Sequence, residues 1–232
     1  MYFTNRVDAG KQMAEQLLKY KEDNCTLVAL SDGAVVVALQ IANKLECPIT
    51  MLLTEPIEAP GETQAVASID QAGGYSHNSS YSAGQHQELD MEYHHLFEQK
   101  KMEKMTLMHQ LIGHNELINK KMLKHHTIIL VSDGLGSVST LDAAALFLKS
   151  IKYNKLIIVT PFASVDVVDR MHILGDDLLC LSTISNFMGT NHYYDENAIP
   201  DHSIIVSIVQ NIVRDWKHKE KPRLWHRNST TE

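Results

Sequence analysis

A turn rich in glycine and hydroxyl residues follows one of the most apolar runs in the chain. The run Thr127–Val131 is typical of a buried strand, and Ser132–Thr140 follows it directly. Glycine lets backbone N–H groups approach a ligand closely, and the first turn of a helix leaves N–H donors unpaired. This combination favours the binding of a phosphate group. The residues we expect to bind it are Gly134, Gly136, Ser137, Ser139 and Thr140.

Asp133 is the candidate for chemistry within this turn. Its carboxylate could hold the hydroxyls of a sugar, take a proton or bind a hydrated Mg²⁺. A plainer interpretation stays open, because aspartate and glycine are common in strand-to-helix turns and Ser139 or Thr140 would then only cap a helix. Spacing alone does not decide between the two.

The elements that must position this turn alternate along the chain. Short apolar runs predict strands at Thr26–Leu30, Ile49–Thr54, Ala65–Ile69, Thr127–Val131, Lys155–Thr160 and Asp177–Leu181. Helical stripes predict helices at Asp8–Tyr20, Ala34–Leu45, His86–Lys124 with a break near Gly113, the stretch from the Ser139 or Thr140 cap to Ile151, Ser164–Ile173, and a last helix from the Asp201 or Ser203 cap to about Trp216. The alternation predicts an α/β fold with a mostly parallel central sheet flanked by helices.

The loops at the carboxyl ends of the strands are the expected ligand-binding positions in such a sheet. They are Ser31–Gly33, Glu55–Gln64 and Ser132–Thr140. Two prolines and a glycine predict that Glu55–Gln64 has no strand. The stretch Gln71–Gln85 is rich in small polar residues, and we expect an exposed excursion there.

The strand and turn at Ile128–Thr140, IILVSDGLGSVST, resemble the phosphoribosyl diphosphate loop of type I phosphoribosyltransferases. Segments resembling the bacterial branch of this family follow in order at Asn5–Tyr20, Leu27–Leu45, Glu58–Ile69, Asp176–Thr183 and His192–Asp201. The resemblance covers the chain from Asn5 to about Val213. It implies a phosphoribosyltransferase-like fold with a long loop and helix insertion at 71–124.

The resemblance also implies roles for individual residues. Ser137, Ser139 and Thr140 would hold a 5′-phosphate, and Asp133 would hold the ribose hydroxyls. Ser31, Asp32 and Gly33 stand where the family has its pyrophosphate loop, with Gly33 and its neighbours offering backbone N–H groups. Tyr193 and Tyr194 lie in the segment resembling the family's substrate side and could stack on a base, or be ordinary surface tyrosines.

Several positions depart from the family pattern. The family's two adjacent acidic residues are Ser132-Asp133 here, and Val138 replaces the glycine of its phosphate cradle. Asp32 stands where the family has an arginine, and Glu55 stands in place of a basic residue. A unit charge pair at 4 Å contributes about 1 to 4 kcal/mol. Two such reversals against a polyanion predict an affinity loss on the order of 10³.

The leading hypothesis is therefore a phosphoribosyltransferase-like protein with an eroded donor site. It would be weakly active or non-catalytic and would bind a nucleotide or sugar phosphate. One alternative is an active transferase that moves phosphoribosyl to a nitrogenous base with the help of Mg²⁺. Another is a non-enzymatic interaction scaffold that uses the long helix and the C-terminal tail.

Composition bounds these hypotheses. The chain has 232 residues and a formal net charge of -7, which argues against nucleic acid as the main partner. The longest apolar runs are far shorter than the ~20 residues of a membrane span, and the N-terminus has no apolar signal core. Three scattered cysteines without a CxxC pattern indicate reduced thiols. We expect a cytoplasmic protein.

The remaining expectations concern organisation and partners. We expect one domain at 1–213 and a basic tail at 214–232, which carries six basic and three acidic residues. Thirteen histidines form no complete ligand pattern, so no metal-ligating residue is predicted. The expected partner is a small phosphorylated molecule. Methionines on the long helix indicate packing, and a homodimer contact through this helix stays open.

Overall fold

The computed structural model describes residues 3–113 and 117–219. Within them the chain forms strands β1 (Cys25–Ala29), β2 (Ile49–Met51), β3 (Thr54–Ile57), β4 (Ala67–Asp70), β5 (Tyr75–His77), β6 (Thr127–Val131), β7 (Lys155–Ser164) and β8 (Asp177–Ile184). The helices are α1 (Arg6–Gln16), α2 (Asp32–Leu45), α3 (Ala83–Ile112), α4 (Lys120–Leu123), α5 (Val138–Lys149), α6 (Val165–Leu174) and α7 (His202–Lys219). Short 3₁₀ turns lie at Leu18–Tyr20 and Thr190–Tyr193.

Five strands form the central sheet in the order β2-β1-β6-β7-β8, and every neighbouring pair is parallel. All residues of β1 and β6 are buried, because helices cover both faces. Ile157 and Val159 of β7 face the side packed by α1, α2 and α7, whereas Leu156 and Ile158 face α5 and α6. The predicted α/β fold with a parallel, helix-flanked sheet is confirmed.

A second, smaller sheet is antiparallel and has the order β3-β4-β5. Its apolar side packs against α3, with Ile69, Phe97 and Met108 in the shared core. The prediction that Glu55–Gln64 is entirely loop was wrong at its start, since β3 runs to Ile57. Pro56 is tolerated because β3 is an edge strand, so its missing N–H need not remove a hydrogen bond to a neighbouring strand.

The expectation of an exposed excursion at Gln71–Gln85 was also wrong in part. β5 lies within it, Ser76 and Asn78 are buried, and the Asn78 Nδ2 donates to the carbonyl of Ala65 at 2.6 Å. Buried polar side chains need hydrogen-bond partners of this kind. The composition of the segment could not show that such partners exist elsewhere in the chain.

The boundaries of two helices refine the predictions. α3 begins at Ala83 behind a capping box of Ser82 and Gln85, and it ends before Gly113 as predicted. α7 continues to Lys219, so the predicted tail boundary at 214 falls inside a helix, while residues 220–232 lie outside the described part. No helix among the described residues is long and apolar enough to cross a membrane.

Candidate functional site

The predicted site residues that follow β1 and β6 meet at one edge of the sheet. These strands are neighbours with Ala29 paired to Val131, so Ser31 and Asp133 emerge side by side. The Ser31 hydroxyl donates to Oδ1 of Asp133 at 2.7 Å. The same hydroxyl accepts the backbone N–H of Ala34 and caps α2. The structure thus joins the two loops through a side-chain hydrogen bond.

Arg6, at the start of α1, occupies the other oxygen of this carboxylate. Its Nε lies 2.6 Å from Oδ2 of Asp133, and Arg6 is only 3% exposed. The Arg6 guanidinium also donates to Oδ1 of Asn191 at 2.7 Å and lies 4.5 Å from the ring centre of Tyr194. Both carboxylate oxygens of Asp133 therefore have protein donors, in a place that water scarcely reaches.

Gly33 is packed directly against this ion pair. A Cβ at this position would overlap Oδ2 of Asp133 and would lie 2.5 Å from Nε of Arg6. Neither atom can move away cheaply, because each already belongs to the buried pair. Glycine is needed at position 33 because the backbone lies so close to Asp133 and Arg6. The first turn of α2 is therefore in contact with these protein side chains in this arrangement.

The turn after β6 begins with a second close approach. A Cβ on Gly134 would overlap the Phe162 ring. Phe162 belongs to an aromatic cluster together with Phe3, Tyr193 and Tyr194. Packing against this cluster accounts for Gly134.

Tyr193 and Tyr194 are buried, at 5% and 4% exposure. The Tyr194 hydroxyl donates to the backbone carbonyl of Asp133 at 2.7 Å, and burial raises the pKa of that hydroxyl far above its usual range. The Tyr193 hydroxyl donates to the carbonyl of Asn186. Both rings pack within the cluster and support the Asp133 turn, so in this arrangement neither presents a face to a base.

α5 begins at the predicted phosphate-binding turn, with Ser137 as its cap. The Ser137 hydroxyl accepts the backbone N–H of Ser139 and lies 2.9 Å from the Ser139 hydroxyl. The predicted cap at Ser139 or Thr140 was wrong, because the helix starts at Val138. The Val138 side chain is buried among the core residues beneath α5. The valine therefore points away from the cavity above the turn.

That cavity has a volume of about 340 Å³ and lies between the start of α5 and the second sheet. Its lining residues are Thr54, Pro56, Thr63, Gln64, Ala65, Ser68, Gly136, Ser137, Ser139 and Thr140. Hydroxyls, an amide and backbone groups line it, and none of these residues carries a formal charge. A cavity of this kind at a helix N-terminus can hold an anionic oxygen group.

Asp32 and Glu55, which the sequence predicts to repel a bound anion, both have side-chain partners. Nδ1 of His202 lies 2.9 Å from each carboxylate oxygen of Asp32. Nζ of Lys104 lies 2.9 Å from Oε2 of Glu55, which ties this residue to α3. The predicted loss of affinity for a polyanion assumed that both carboxylates are unpaired. Their partners reduce the repulsion.

The donor set does not fit a protein-held Mg²⁺. Asp133 offers no free oxygen, and Asp32 is bonded to His202. Across residues 3–113 and 117–219, no group of three or more His, Cys, Asp or Glu side chains is placed to hold a metal ion.

Sequence reasoning missed the residues that close the site. Arg6 stood out only as part of a helical segment, and Asn191 and His202 carried no motif. Arg6 lies 127 positions from Asp133, so no local pattern connects them. The one feature of the sequence that could have identified Arg6 is its position at the start of the segment that resembles the first helix of the family.

Comparisons with known proteins identify the family of this chain. A family model described as phosphoribosyl transferase domain matches residues 2–194. Two Mycobacterium tuberculosis proteins, from strains CDC 1551 and H37Rv and provisionally named phosphoribosyl transferases, are each 23% identical over 215 residues. That alignment covers 92% of this chain and 48% of each relative, so the chain spans about half the length of the curated relatives it matches.

A solved structure shares the fold. The crystal structure of TT1426 from Thermus thermophilus superimposes with a TM-score of 0.73 at 20% identity, covering 91% of this chain and 99% of that one. At this identity the likeness supports the architecture alone.

Proposed function

Because the chain belongs to the phosphoribosyl transferase domain family, we propose that it binds a nucleotide or sugar phosphate by its 5′-phosphate and has weak or no transferase activity. The observation that carries this proposal is the contrast between two neighbouring places. The turn at the start of α5 faces an open cavity, whereas the Asp133 carboxylate beside it is held by Arg6 and Ser31.

The phosphate half of the proposal rests on donors. A phosphate in the cavity would meet the hydroxyls of Ser137 and Thr140 at the N-terminus of α5, where the helix dipole is favourable for an anion. The Ser139 N–H is already accepted by the Ser137 hydroxyl, so it is not counted among the donors. Val138 is buried in the core and leaves this space open. The cavity volume of about 340 Å³ admits a phosphorylated sugar.

The weak-activity half rests on what the turn does not offer. Transfer of phosphoribosyl needs stabilisation of a departing diphosphate and of the ribose as charge develops. Asp133 would have to leave a buried ion pair to reach a ribose hydroxyl, and the first turn of α2 packs Gly33 against that same pair. A monophosphate can bind in the cavity without displacing the Asp133 carboxylate or the first turn of α2, and without a metal ion.

The test is calorimetric titration with ribose 5-phosphate. Thr140→Glu places a carboxylate in the cavity, and we expect it to weaken binding by at least about tenfold through repulsion of the phosphate. Thr106→Glu is the matched control, because Thr106 is an exposed residue of α3 outside the cavity. Equal affinity in the two variants would place the phosphate elsewhere and refute the proposal.

A further inference from the structure

A second cavity lies along α5, away from the turn at the start of that helix. It has a volume of about 590 Å³ and is walled by residues of β5, α5 and α6. It shares no lining residue with the cavity at the start of α5. The residues that α5 contributes recur at the three- and four-residue spacing of one helix face, and they are Asp142, Ala145, Leu146 and Lys149.

One buried carboxylate joins the three walls of this cavity. Asp142 is 6% exposed. Its Oδ2 accepts the backbone N–H of Ser79, in the loop after β5, at 2.8 Å. Its Oδ1 accepts Nε of Arg170, on α6, at 2.7 Å. The walls are therefore held in place by contacts within the chain, so a ligand would not have to order them on binding.

The charge of the lining favours an anion. Arg170 is the counter-charge of Asp142, so this pair adds no net charge. Lys149, the third charged residue of the lining, forms no ion pair with any residue that the structure describes. With histidine neutral, the lining has a formal charge of +1, in a chain whose formal net charge is -7. A concave surface of this sign raises the local concentration of anions.

The remaining lining is largely apolar and aromatic. Its large side chains are Leu146, Leu156, Leu174, Tyr75, His77 and Tyr153. Leu146 is 39% exposed, so a ligand with an apolar body would remove hydrocarbon surface from water here. Tyrosine and histidine rings offer flat surfaces on which a planar ligand can pack.

We propose that this cavity binds an organic monoanion with an aromatic body, an aromatic carboxylate. The ring of the ligand packs on Ala145 and Leu146 of α5 and against the tyrosine rings. Its carboxylate faces Lys149 at the end of α5. The cavity volume is within the range of small-molecule sites, and it exceeds what one aromatic ring system needs.

The same features distinguish this ligand from the sugar phosphate proposed for the first cavity. A phosphate dianion carries twice the charge that the lining balances. Sugar hydroxyls would face the leucines without hydrogen-bond partners, which is unfavourable. The second cavity therefore takes a different class of molecule, and this inference goes beyond the proposed function.

The first experiment is calorimetric titration with 2-naphthoate at low ionic strength. We expect a sub-millimolar dissociation constant. The uncharged 2-naphthamide has the same ring system, and we expect it to bind at least about fivefold more weakly because it loses the attraction to Lys149. Absence of naphthoate binding at millimolar concentration, or equal affinity for the two probes, would overturn the proposal.

Charge reversal locates the anion. We expect Lys149→Glu to weaken naphthoate binding by at least about tenfold. Lys11→Glu is the matched control, because Lys11 is an exposed lysine of α1, which packs on the other side of the central sheet from α5. Both variants have the same net charge. Equal affinity of the two variants would place the probe elsewhere and refute the site.

Filling the cavity locates the ring. Ala145→Trp adds an indole to the lining, and we expect it to abolish binding of both probes while the circular dichroism spectrum stays unchanged. Wild-type affinity in this variant would contradict the proposal. Ribose 5-phosphate should not displace naphthoate, since the two cavities share no lining residue. Displacement would mean that naphthoate occupies the first cavity, whereas a failure of ribose 5-phosphate to bind at all would leave these results unaffected.

Discussion

The ion pair of Arg6 and Asp133 is buried at the centre of the candidate site. A carboxylate that is 7% exposed is costly to keep charged unless donors surround it, and Arg6 and Ser31 supply them. The same contacts engage both carboxylate oxygens of Asp133, and our proposal of weak or no transferase activity rests on this. At the residue scale, the carboxylate that the sequence favours for chemistry links α1 to the loops after β1 and β6.

Removal of the arginine should therefore destabilise the protein strongly. We expect Arg6→Met to lower the free energy of unfolding by about 3 to 5 kcal/mol, since it leaves a buried carboxylate without its counter-charge. Urea denaturation measures this. Lys21→Met is the control, because Lys21 pairs with Glu46 at the surface and its loss should cost less than about 1 kcal/mol. Similar costs in the two variants would show that Asp133 does not depend on Arg6.

Charges were the part of the site that could not be predicted from the sequence. The departures at Asp32 and Glu55 were visible, but their partners were not. His202 lies 170 positions from Asp32, and Lys104 lies 49 positions from Glu55. Electrostatic cost depends on distances that only the folded chain defines.

At the scale of elements, apolar periodicity was sufficient wherever a strand is buried on both sides. The prediction of β6 at Thr127–Val131 is right to the residue, because every side chain in it is buried. The second sheet was harder, since β3 contains Pro56 and β5 is a short polar strand. Their stability comes from pairing with β4 and from α3, which are contacts distant in sequence.

The junction of β1 and α2 offers a test at this scale. Gly33→Ala should lower the free energy of unfolding by about 1 to 3 kcal/mol, because its Cβ would collide with Asp133 and Arg6. Gly84→Ala is the matched control, since Gly84 lies in the first turn of α3 with nothing within 4 Å of an added Cβ. Alanine there should stabilise α3 by up to about 1 kcal/mol. Thermal denaturation compares them, and a Gly33→Ala protein as stable as wild type would contradict the close packing.

At the scale of the whole molecule, the parallel sheet and the second sheet form different parts of the candidate site. The sheet edge brings Ser31 and Asp133 together, and the Asp133 carboxylate is buried against Arg6. The second sheet stands over the start of α5 and forms the cavity with it. The architecture thus leaves a cavity at the start of α5, where we propose that the 5′-phosphate binds, and fills the neighbouring position with protein groups.

Calorimetric titration of the wild-type chain tests this division most directly. The ligands are ribose 5-phosphate, AMP and phosphoribosyl diphosphate, each with Mg²⁺ and with EDTA. We predict that the monophosphates bind equally well in both buffers, and that the diphosphate binds no more tightly than ribose 5-phosphate when Mg²⁺ is present. Micromolar binding of the diphosphate that requires Mg²⁺ and exceeds that of both monophosphates would contradict the account, because it would mean that the donor position is open.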